Sequence, residues 1–505
     1  MTRIFLFLVS IVGFTTLVSA QSTPDSIREG DVEAARRVRR AELNDPFRPV
    51  WHLTIAEGIG MPFDPNGAIF KDGVYHLWHL YQAESGHQWQ HLTSIDLFHW
   101  RWHAHDLMHR PGDPDEGIFS GNAFLAPDGN VVISYHGVGT GGNCVAYSSD
   151  KDLEHWDKSM NNPVAKPGWD PHMWYEQGRY YMISGGEPVS SGIPNPAVLY
   201  QGDDYKAPMH KLGNFLTKDL PGVDKFEDIS CPDFFRMGNK WVLSCISHIR
   251  GARYYIGRWN GKQFEPETHH RMNWPGGSTF APETLLDDKG RRILWAWVLD
   301  RRTGVSSGMM TMPRVLSLSD DQRSLRIEPP REVEALRYQP MHEDPVVVEK
   351  DRAYTAKNIS GKVLEMDMVI DPGQASKFGI KVFCSKDGRE QTPVVIDRKQ
   401  GTLSIDMRQS SLERPEYREF VMLREPNALM EKQESPFTLK PGEKLHLRVF
   451  LDKSMLEVFA NGRQCITQVV YPTLQDAMQV LVFTEDKPIS VTAMRAWKLF
   501  PTMQW

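Results

Sequence analysis

Cysteine is scarce, with five residues in a chain of 505: Cys144, Cys231, Cys245, Cys384 and Cys465. An odd, sparse set makes no disulfide framework, and no spacing among them reads as a zinc site. Cys231 and Cys245 flank one glycine turn and are placed to face each other across it, as a bond or as a pair of buried thiols. Long apolar runs are lacking too. Beyond the first twenty residues no stretch is long and apolar enough to span a bilayer. Charge of one sign is also missing. The formal net charge is −6 and no basic run stands out, so nothing points to nucleic acid or another polyanion as partner.

What is present begins with a leader. Arg3 precedes an apolar run from Ile4 to Leu17, and Val18-Ser19-Ala20 fits a small-residue cleavage site before Gln21. The expectation is a signal peptide over 1–20 and a secreted protein, extracellular or periplasmic, with no membrane attachment after cleavage. Residues 21–48 are polar, and Val32 to Val38 are expected to form a surface helix before Asp45-Pro46.

From residue 49 the chain repeats itself. Gly73, Gly129, Gly178, Gly238 and Gly290 each precede an apolar, strand-like run, such as Val74-Tyr75-His76-Leu77-Trp78 or Ile293-Leu294-Trp295. Before each glycine comes a short polar or proline-bearing stretch: Asp64-Pro65, Ser120-Gly121, Asp170-Pro171, Cys231-Pro232 and Ala281-Pro282. Both series recur at intervals of roughly 50–60 residues, the length of a four-stranded propeller blade. Asp96-Leu97-Phe98-His99-Trp100 likewise returns one interval later as Asp152-Leu153-Glu154-His155-Trp156. Five copies predict a five-bladed β-propeller over 49–335. Its inner strands aim side chains into one central funnel from rigid supports.

The period ends near Glu328-Pro329-Pro330-Arg331. From about 341 to 505 short runs alternate apolar and polar residues between Gly, Pro and Asp turns. Leu445 to Val449, Met455 to Phe459 before Asn461-Gly462, Thr392 to Ile396 and Thr402 to Ile405 are such runs, and no helical period is evident. This predicts a C-terminal β-sandwich, and the fold class is all-β throughout. The fifteen Trp residues suit packing between blades, with a few left as platforms for sugar rings.

The motifs, taken in order, resemble those of glycoside hydrolase family 32, the invertase, inulinase and levanase family. Asp64-Pro65-Asn66-Gly67 is similar to its Asn-Asp-Pro-Asn-Gly. Trp89-Gln90-His91 with Ser94-Ile95-Asp96-Leu97 and Trp100 resembles its Trp-Gly-His…Ser-x-Asp-Leu…Trp. Phe119-Ser120-Gly121-Asn122 resembles Phe-Ser-Gly-Ser, Asp170-Pro171 resembles Arg-Asp-Pro, and Cys231-Pro232-Asp233 resembles Glu-Cys-Pro-Asp. Gly290 to Trp297, Met312-Pro313-Arg314, and in the sandwich Asp452-Lys453-Ser454, Glu457-Val458-Phe459 and Tyr471-Pro472 also fit. The resemblance covers nearly all of the chain after the leader. It implies a five-bladed propeller followed by a β-sandwich, and cleavage of β-fructofuranosyl bonds in sucrose or fructans such as levan and inulin.

Glycoside cleavage with retention uses two carboxyl groups roughly 5–5.5 Å apart, one attacking the anomeric carbon and one giving a proton to the leaving oxygen. The resemblance makes Asp64 the nucleophile and Asp170 the stabiliser of the transition state. It puts the acid/base glutamate at the position of Ser230, whose hydroxyl cannot serve as an acid near neutrality. Phe63, Trp169 and Ser278 also stand where the family has Asn, Arg and Asp. Asp228, two residues before Ser230 and so on the same side of a strand, and Glu283, after Ala281-Pro282, are the candidate replacements. Asp233 and Glu227 lie nearby. A replacement is expected within roughly 5–6 Å of Asp64. Asn66, Gln82, Trp89, Phe119, Ser120 and Ser230 are the expected sugar-holding residues, with His172 and Trp174 as additions. The partner is an oligo- or polysaccharide, and the chemistry calls for no cofactor or metal. Alternatives are a catalytically impaired sugar-binding propeller, and a glycosidase or transferase acting on a related furanoside. Glu457 is expected to be structural.

Overall fold

The computed structural model describes residues 40, 44–54, 63–83, 86–103, 107–188, 193–300, 302, 308–413 and 431–502. The leader and the helix expected over 32–38 lie outside the described residues.

Five antiparallel sheets follow one another along the chain. Blade 1 is Pro65–Lys71, Val74–Ala83, Gly86–Ser94 and Arg101–Trp102, and blade 2 is Ile118–Leu125, Val131–Gly137, Gly142–Ser148 and Asp157–Lys158. Blade 3 is Pro171–Glu176, Arg179–Ser184, Val198–Gly202 and His210–Asn214, and blade 4 is Ser230–Met237, Lys240–Ser247, Gly251–Trp259 and Phe264–Arg271. Blade 5 is Thr279–Leu286, Arg292–Val298, the split strand Met309–Met310 with Arg314–Leu318, and Leu325–Glu328. The glycine turns join the first two strands of each blade. Asp72-Gly73 and Gln177-Gly178 both hold two successive positive φ angles (52° and 83°, 51° and 83°), the twist-matched turn of a tight hairpin. The N-terminal segment completes the ring from outside: Met310 N donates to Leu53 O at 3.0 Å.

Apolar packing fills the wedges between blades. Trp78, Trp89, Ile118, Tyr135 and Trp156 pack between blades 1 and 2, and Trp174, Tyr181, Phe215, Phe234 and Phe264 between blades 3 and 4. A 3₁₀ turn, Arg331–Leu336, then leads to the sandwich. One of its sheets runs in the order Arg337–Glu343, Ile489–Leu499, Val363–Asp371, Leu445–Asp452, Met455–Ala460, Gln464–Val469. The other runs Tyr354–Ser360, Gln479–Thr484, Lys377–Cys384, Thr392–Asp397, Thr402–Asp406, Lys432–Pro436. Their facing sides alternate buried Leu, Ile, Val, Met and Phe, the period-two pattern legible in the sequence. A separate core spans the two domains, joining Phe450, Phe459, Cys465 and Leu499 to blades 1 and 5.

Buried ions bridge the same junction. Asp452 accepts from the backbone N–H groups of Val50 (2.8 Å), Trp51 (3.0 Å) and His52 (3.0 Å), and His52 Nδ1 lies 2.9 Å from it. Glu457 takes His52 Nε2 at 3.2 Å, Met312 N at 2.8 Å and the Arg314 guanidinium at 2.9 Å. Burial works against ionisation of Glu457, but Arg314 and His52 outweigh it and hold the carboxyl below its usual value. Glu457 is a propeller-to-sandwich tie, far from the funnel's strand heads in both sequence and sheet.

Candidate active site

Four of the inner strands begin with an irregularity that turns side chains into the funnel. Pairing slips between Asn66 and Ile69, Ile118 and Gly121, Ser230 and Asp233, and Phe280 and Pro282. Such bulges re-aim side chains, and they gather beside active sites. Three of the strand heads carry a left-handed non-glycine residue directly before a proline: Asp170 (φ 25°), Cys231 (φ 44°) and Ala281 (φ 38°). Backbone strain repeated at one position of successive blades is stored where the polar groups converge.

Asp64 lies at the head of blade 1, with its carbonyl taking Leu80 N at 2.9 Å. Ser120 Oγ, from the head of blade 2, donates to Asp64 Oδ2 at 2.7 Å. Asn66 Nδ2 donates to Asp64 O at 2.9 Å while its Oδ1 takes Gly121 N at 3.0 Å, locking the two heads together. Asp170, heading blade 3, accepts Cys231 N from blade 4 at 3.0 Å. The Cys231 thiol bridges the two carboxylates, 3.5 Å from Asp170 Oδ2 and 3.9 Å from Asp64 Oδ2. Asp64 and Asp170 are 4% and 2% exposed. Oδ1 of each is buried without a hydrogen-bond partner. Two acidic oxygens thus stand ready for groups that the protein itself does not supply.

The electrostatics follow from this crowding. Burial pushes Asp64 up to about 7; the Ser120 hydrogen bond and the charge of His248 oppose the rise and the charge of Asp170 adds to it. Burial also lifts Asp170 above the usual carboxylate range, against the Cys231 N–H and the charges of His136 and His248. The thiol of Cys231 is driven well above its ordinary value by burial and then by Asp170 and Asp64, so it remains S–H. All five cysteines are free. Cys231 points at the carboxylates while Cys245 is buried in the core between blades 3 and 4, and the facing pair anticipated across the turn does not form.

The candidate replacement carboxylates are engaged with other groups. Asp228 accepts Ser230 Oγ at 2.7 Å, His248 N at 2.8 Å and His248 Nδ1 at 2.7 Å. Burial raises Asp228, but the bonds to His248 and Ser230 more than offset it and hold the group below its usual value, hence ionised. Glu283 accepts Ala68 N at 3.1 Å. Ala68 is four residues past Asp64, which at roughly 3.3 Å per residue puts Glu283 on the order of 10 Å down the channel. There burial and the neighbouring Asp233 lift Glu283 well above its usual value. Asp233 itself accepts Thr284 Oγ1 at 2.5 Å and sits 3.7 Å from His172 Nδ1. Burial pushes His172 down to about 3, so it is neutral. Glu227 is paired with Arg253 at 2.9 Å and Arg250 at 3.0 Å. Neither Asp228 nor Glu283 hydrogen-bonds Asp64 or Asp170.

Of the expected sugar-holding residues, Asn66, Ser120 and Ser230 are buried at the strand heads, Phe119 is half-buried and Gln82 is exposed. Trp89 is buried, with Nε1 on Phe119 O at 3.1 Å. Ser230 Oγ takes Trp169 Nε1 at 2.9 Å, and Trp174 packs into the aromatic cluster between blades 3 and 4. Sequence reasoning missed Cys231 as a bridge, and His248 as the imidazole whose charge acts on both carboxylates. A signal for His248 was present: it directly follows the second strand of the Gly238 hairpin, at the end where Ser230 begins the first. A candidate metal-ligating group, His109, Asp113 and Asp115, already holds the Lys158 ammonium, 2.6 Å from Asp113 and 3.1 Å from Asp115.

A five-bladed propeller with carboxylates at its inner strand heads, fused to a β-sandwich, is the architecture of a class of glycoside hydrolases. The glycosyl hydrolases family 32 N-terminal domain matches residues 59–329, and the family's C-terminal domain matches 332–498. The chain belongs to glycosyl hydrolase family 32. A sucrose-6-phosphate hydrolase of Zymomonas mobilis is 26% identical over 92% of this chain and 95% of its own length. A raffinose invertase of Escherichia coli is 27% identical over 91% and 96%. The crystal structure of fructan 1-exohydrolase IIa from Cichorium intybus superposes with a TM-score of 0.75 at 20% identity, covering 90% of this chain and 98% of that one.

Proposed function

We propose that the protein is a secreted, retaining glycosidase that cleaves β-fructofuranosyl bonds of sucrose or a fructan. The supporting observation is the pair Asp64 and Asp170, buried at the inner strand heads of blades 1 and 3 and bridged by the Cys231 thiol, each with one oxygen without a hydrogen-bond partner. Family membership and the hydrolytic names of the curated relatives point the same way. Asp64 attacks the anomeric carbon and Asp170 stabilises the positive charge that develops on the ring. The ionised form of Asp64 is the attacking one, and the Ser120 hydrogen bond and the charge of His248 favour it. Export rests on the leader at 1–20 and is checked by N-terminal sequencing of the mature protein, expected to begin at Gln21.

A second reading, a sugar-binding propeller without turnover, is favoured by Ser230, which stands where the family pattern places the acid/base glutamate. A product screen on sucrose, inulin, levan and other furanosides separates the two. Release of fructose, initially as the β-anomer and abolished by Asp64→Asn, is expected. Sugar affinity without any product would establish the binder instead.

A further inference from the structure

We propose that His248, held by Asp228, is the proton donor and base of this active site, in the place of the missing glutamate. The inference rests on the reading of Asp64 as nucleophile. Ser230 pairs with Ile246 in blade 4, so His248, two residues beyond Ile246, lies at the same end of that hairpin as the Ser230 head. Asp228 clamps it twice, through the backbone N–H at 2.8 Å and through Nδ1 at 2.7 Å. That fixes the proton on Nδ1 and presents Nε2 outward. Nε2 makes no hydrogen bond among the described residues, and the side chain is 28% exposed although the Asp228 carboxylate that holds it is buried. Phe280, from blade 5, packs edge-on against the ring at 5.7 Å between centroids.

The hydroxyl of Ser230 is already committed. Its single proton goes to Asp228 and its oxygen accepts from Trp169. Ser230 therefore does not deliver a proton; it completes the cradle of the carboxylate that holds His248. Among the charged groups around the ring, Asp228, Asp170 and Asp64 all favour the imidazolium, and Arg250, two residues on, is engaged with Asp224 and Glu227. Burial lowers the ring's affinity for a proton, and the Asp228 hydrogen bond and the three carboxylate charges reverse that and hold it above its ordinary value.

The steps balance. Asp64 attacks the anomeric carbon as the glycosidic C–O bond breaks. The departing oxygen keeps the bonding pair and takes the proton from His248 Nε2, leaving neutral imidazole. A water molecule then enters, gives its proton to Nε2, and bonds to the anomeric carbon as the ester to Asp64 breaks and its electron pair returns to the carboxylate. Asp228 is a positioning residue in both halves.

The test compares sucrose, whose leaving group needs a proton, with 4-nitrophenyl β-fructofuranoside, whose leaving group does not. His248→Gln is expected to lower kcat/KM on sucrose by about 10²–10⁴-fold. On the activated substrate kcat/KM should stay within about tenfold of wild type, and azide should accelerate turnover and give a fructosyl azide, since azide needs no base. Asp228→Asn should move the alkaline limb of the wild-type pH profile to lower pH, a change that general loosening of the fold would not produce. Sucrose turnover undiminished in His248→Gln, or an alkaline limb unmoved in Asp228→Asn, overturns the proposal while leaving the nucleophile in place. A wild-type protein that cleaves neither substrate overturns the glycosidase reading and this proposal with it.

Discussion

Two of the buried pairs of acidic groups among the described residues differ in one respect. Asp452 and Glu457, at the junction of propeller and sandwich, are saturated: four backbone N–H groups, an imidazole and a guanidinium surround them. Asp64 and Asp170, at the funnel, receive one strong hydrogen bond each plus a shared thiol, and each keeps a bare oxygen. Both pairs are equally out of water. A carboxylate given all its partners is structure, because moving it loses every bond at once. A carboxylate left short of partners keeps its interaction energy for a visitor, at a cost in stability. Both pairs fall within motifs shared with the family, so motif membership alone does not tell them apart.

The sharpest way to break this contrast is to exchange each acid for its amide. Asp64→Asn should remove at least about 10⁴-fold of turnover, the order lost when a nucleophile is deleted, with the fold intact by circular dichroism. Glu457→Gln should leave turnover per folded molecule within about threefold and lower stability by about 3–5 kcal/mol, the cost of leaving a buried cation unpaired. Denaturant midpoints measured beside the specific activity of the soluble fraction check both. Loss of turnover in fully folded Glu457→Gln would erase the division.

The pH profile sharpens the contrast at the funnel itself. Asp64 is pushed up to about 7 by burial, against Ser120 and His248, with Asp170 adding to the rise and the Cys231 thiol beside it opposing. In the proposed role Asp64 reacts in its ionised form, so kcat/KM should climb as pH rises, with an acid limb centred near 7. Ser120→Ala removes the hydrogen bond that favours the ionised form, and should move that limb to higher pH by a few tenths to about one pH unit. An acid limb near 4, untouched by Ser120→Ala, would mean that the funnel is wetter and its carboxylates better served than their burial implies.

Much of this was legible in the chain. The recurrence of glycine turns pointed to five blades, because each turn demands positive φ at a fixed place in a repeating hairpin. Asp64 and Asp170 were legible as carboxylates at strand heads because each directly precedes the proline that opens the inner strand, and the structure buries both beside the Cys231 thiol. The proposed proton donor was legible only by its place after the second strand of the Gly238 hairpin, not by its role. Alternation along a strand aims Asp228 at the funnel, but Asp228 precedes the strand, which starts at Ser230, and its carboxylate turns to the end of the neighbouring strand instead. His248 belongs to no motif. It meets Asp228 across twenty residues of sequence only because the hairpin folds back, and its meaning depends on charges from blades 1 and 3 that no local pattern records. Glu283 misled for a similar reason: it follows a proline as Asn66 does, but the slip between Phe280 and Pro282 and its bond to Ala68 N hold it deeper in the channel.

The smallest expected effect concerns what the bare oxygens cost. Asp64 has its carboxyl lifted from 3.8 to about 7 by folding. Between those values the folded protein holds a proton that the unfolded chain has released. Stability therefore falls as pH rises through that window, and the penalty is complete above about 7. An asparagine at this position does not titrate, keeps an acceptor for Ser120, and escapes the penalty. Asp64→Asn should thus match wild type at pH 4 and below and exceed it by about 1–3 kcal/mol at pH 8, since each tenfold change in proton affinity is worth about 1.4 kcal/mol and Asp170 relaxes part of the strain. The same exchange at Asp452, whose acceptors are fully used, should destabilise at both values. Denaturant midpoints of the two variants at pH 4 and pH 8 measure the difference. A funnel variant less stable than wild type at pH 8 would show that Asp64 is held as firmly as Asp452, and the distinction between saturated and waiting acids would not describe this protein.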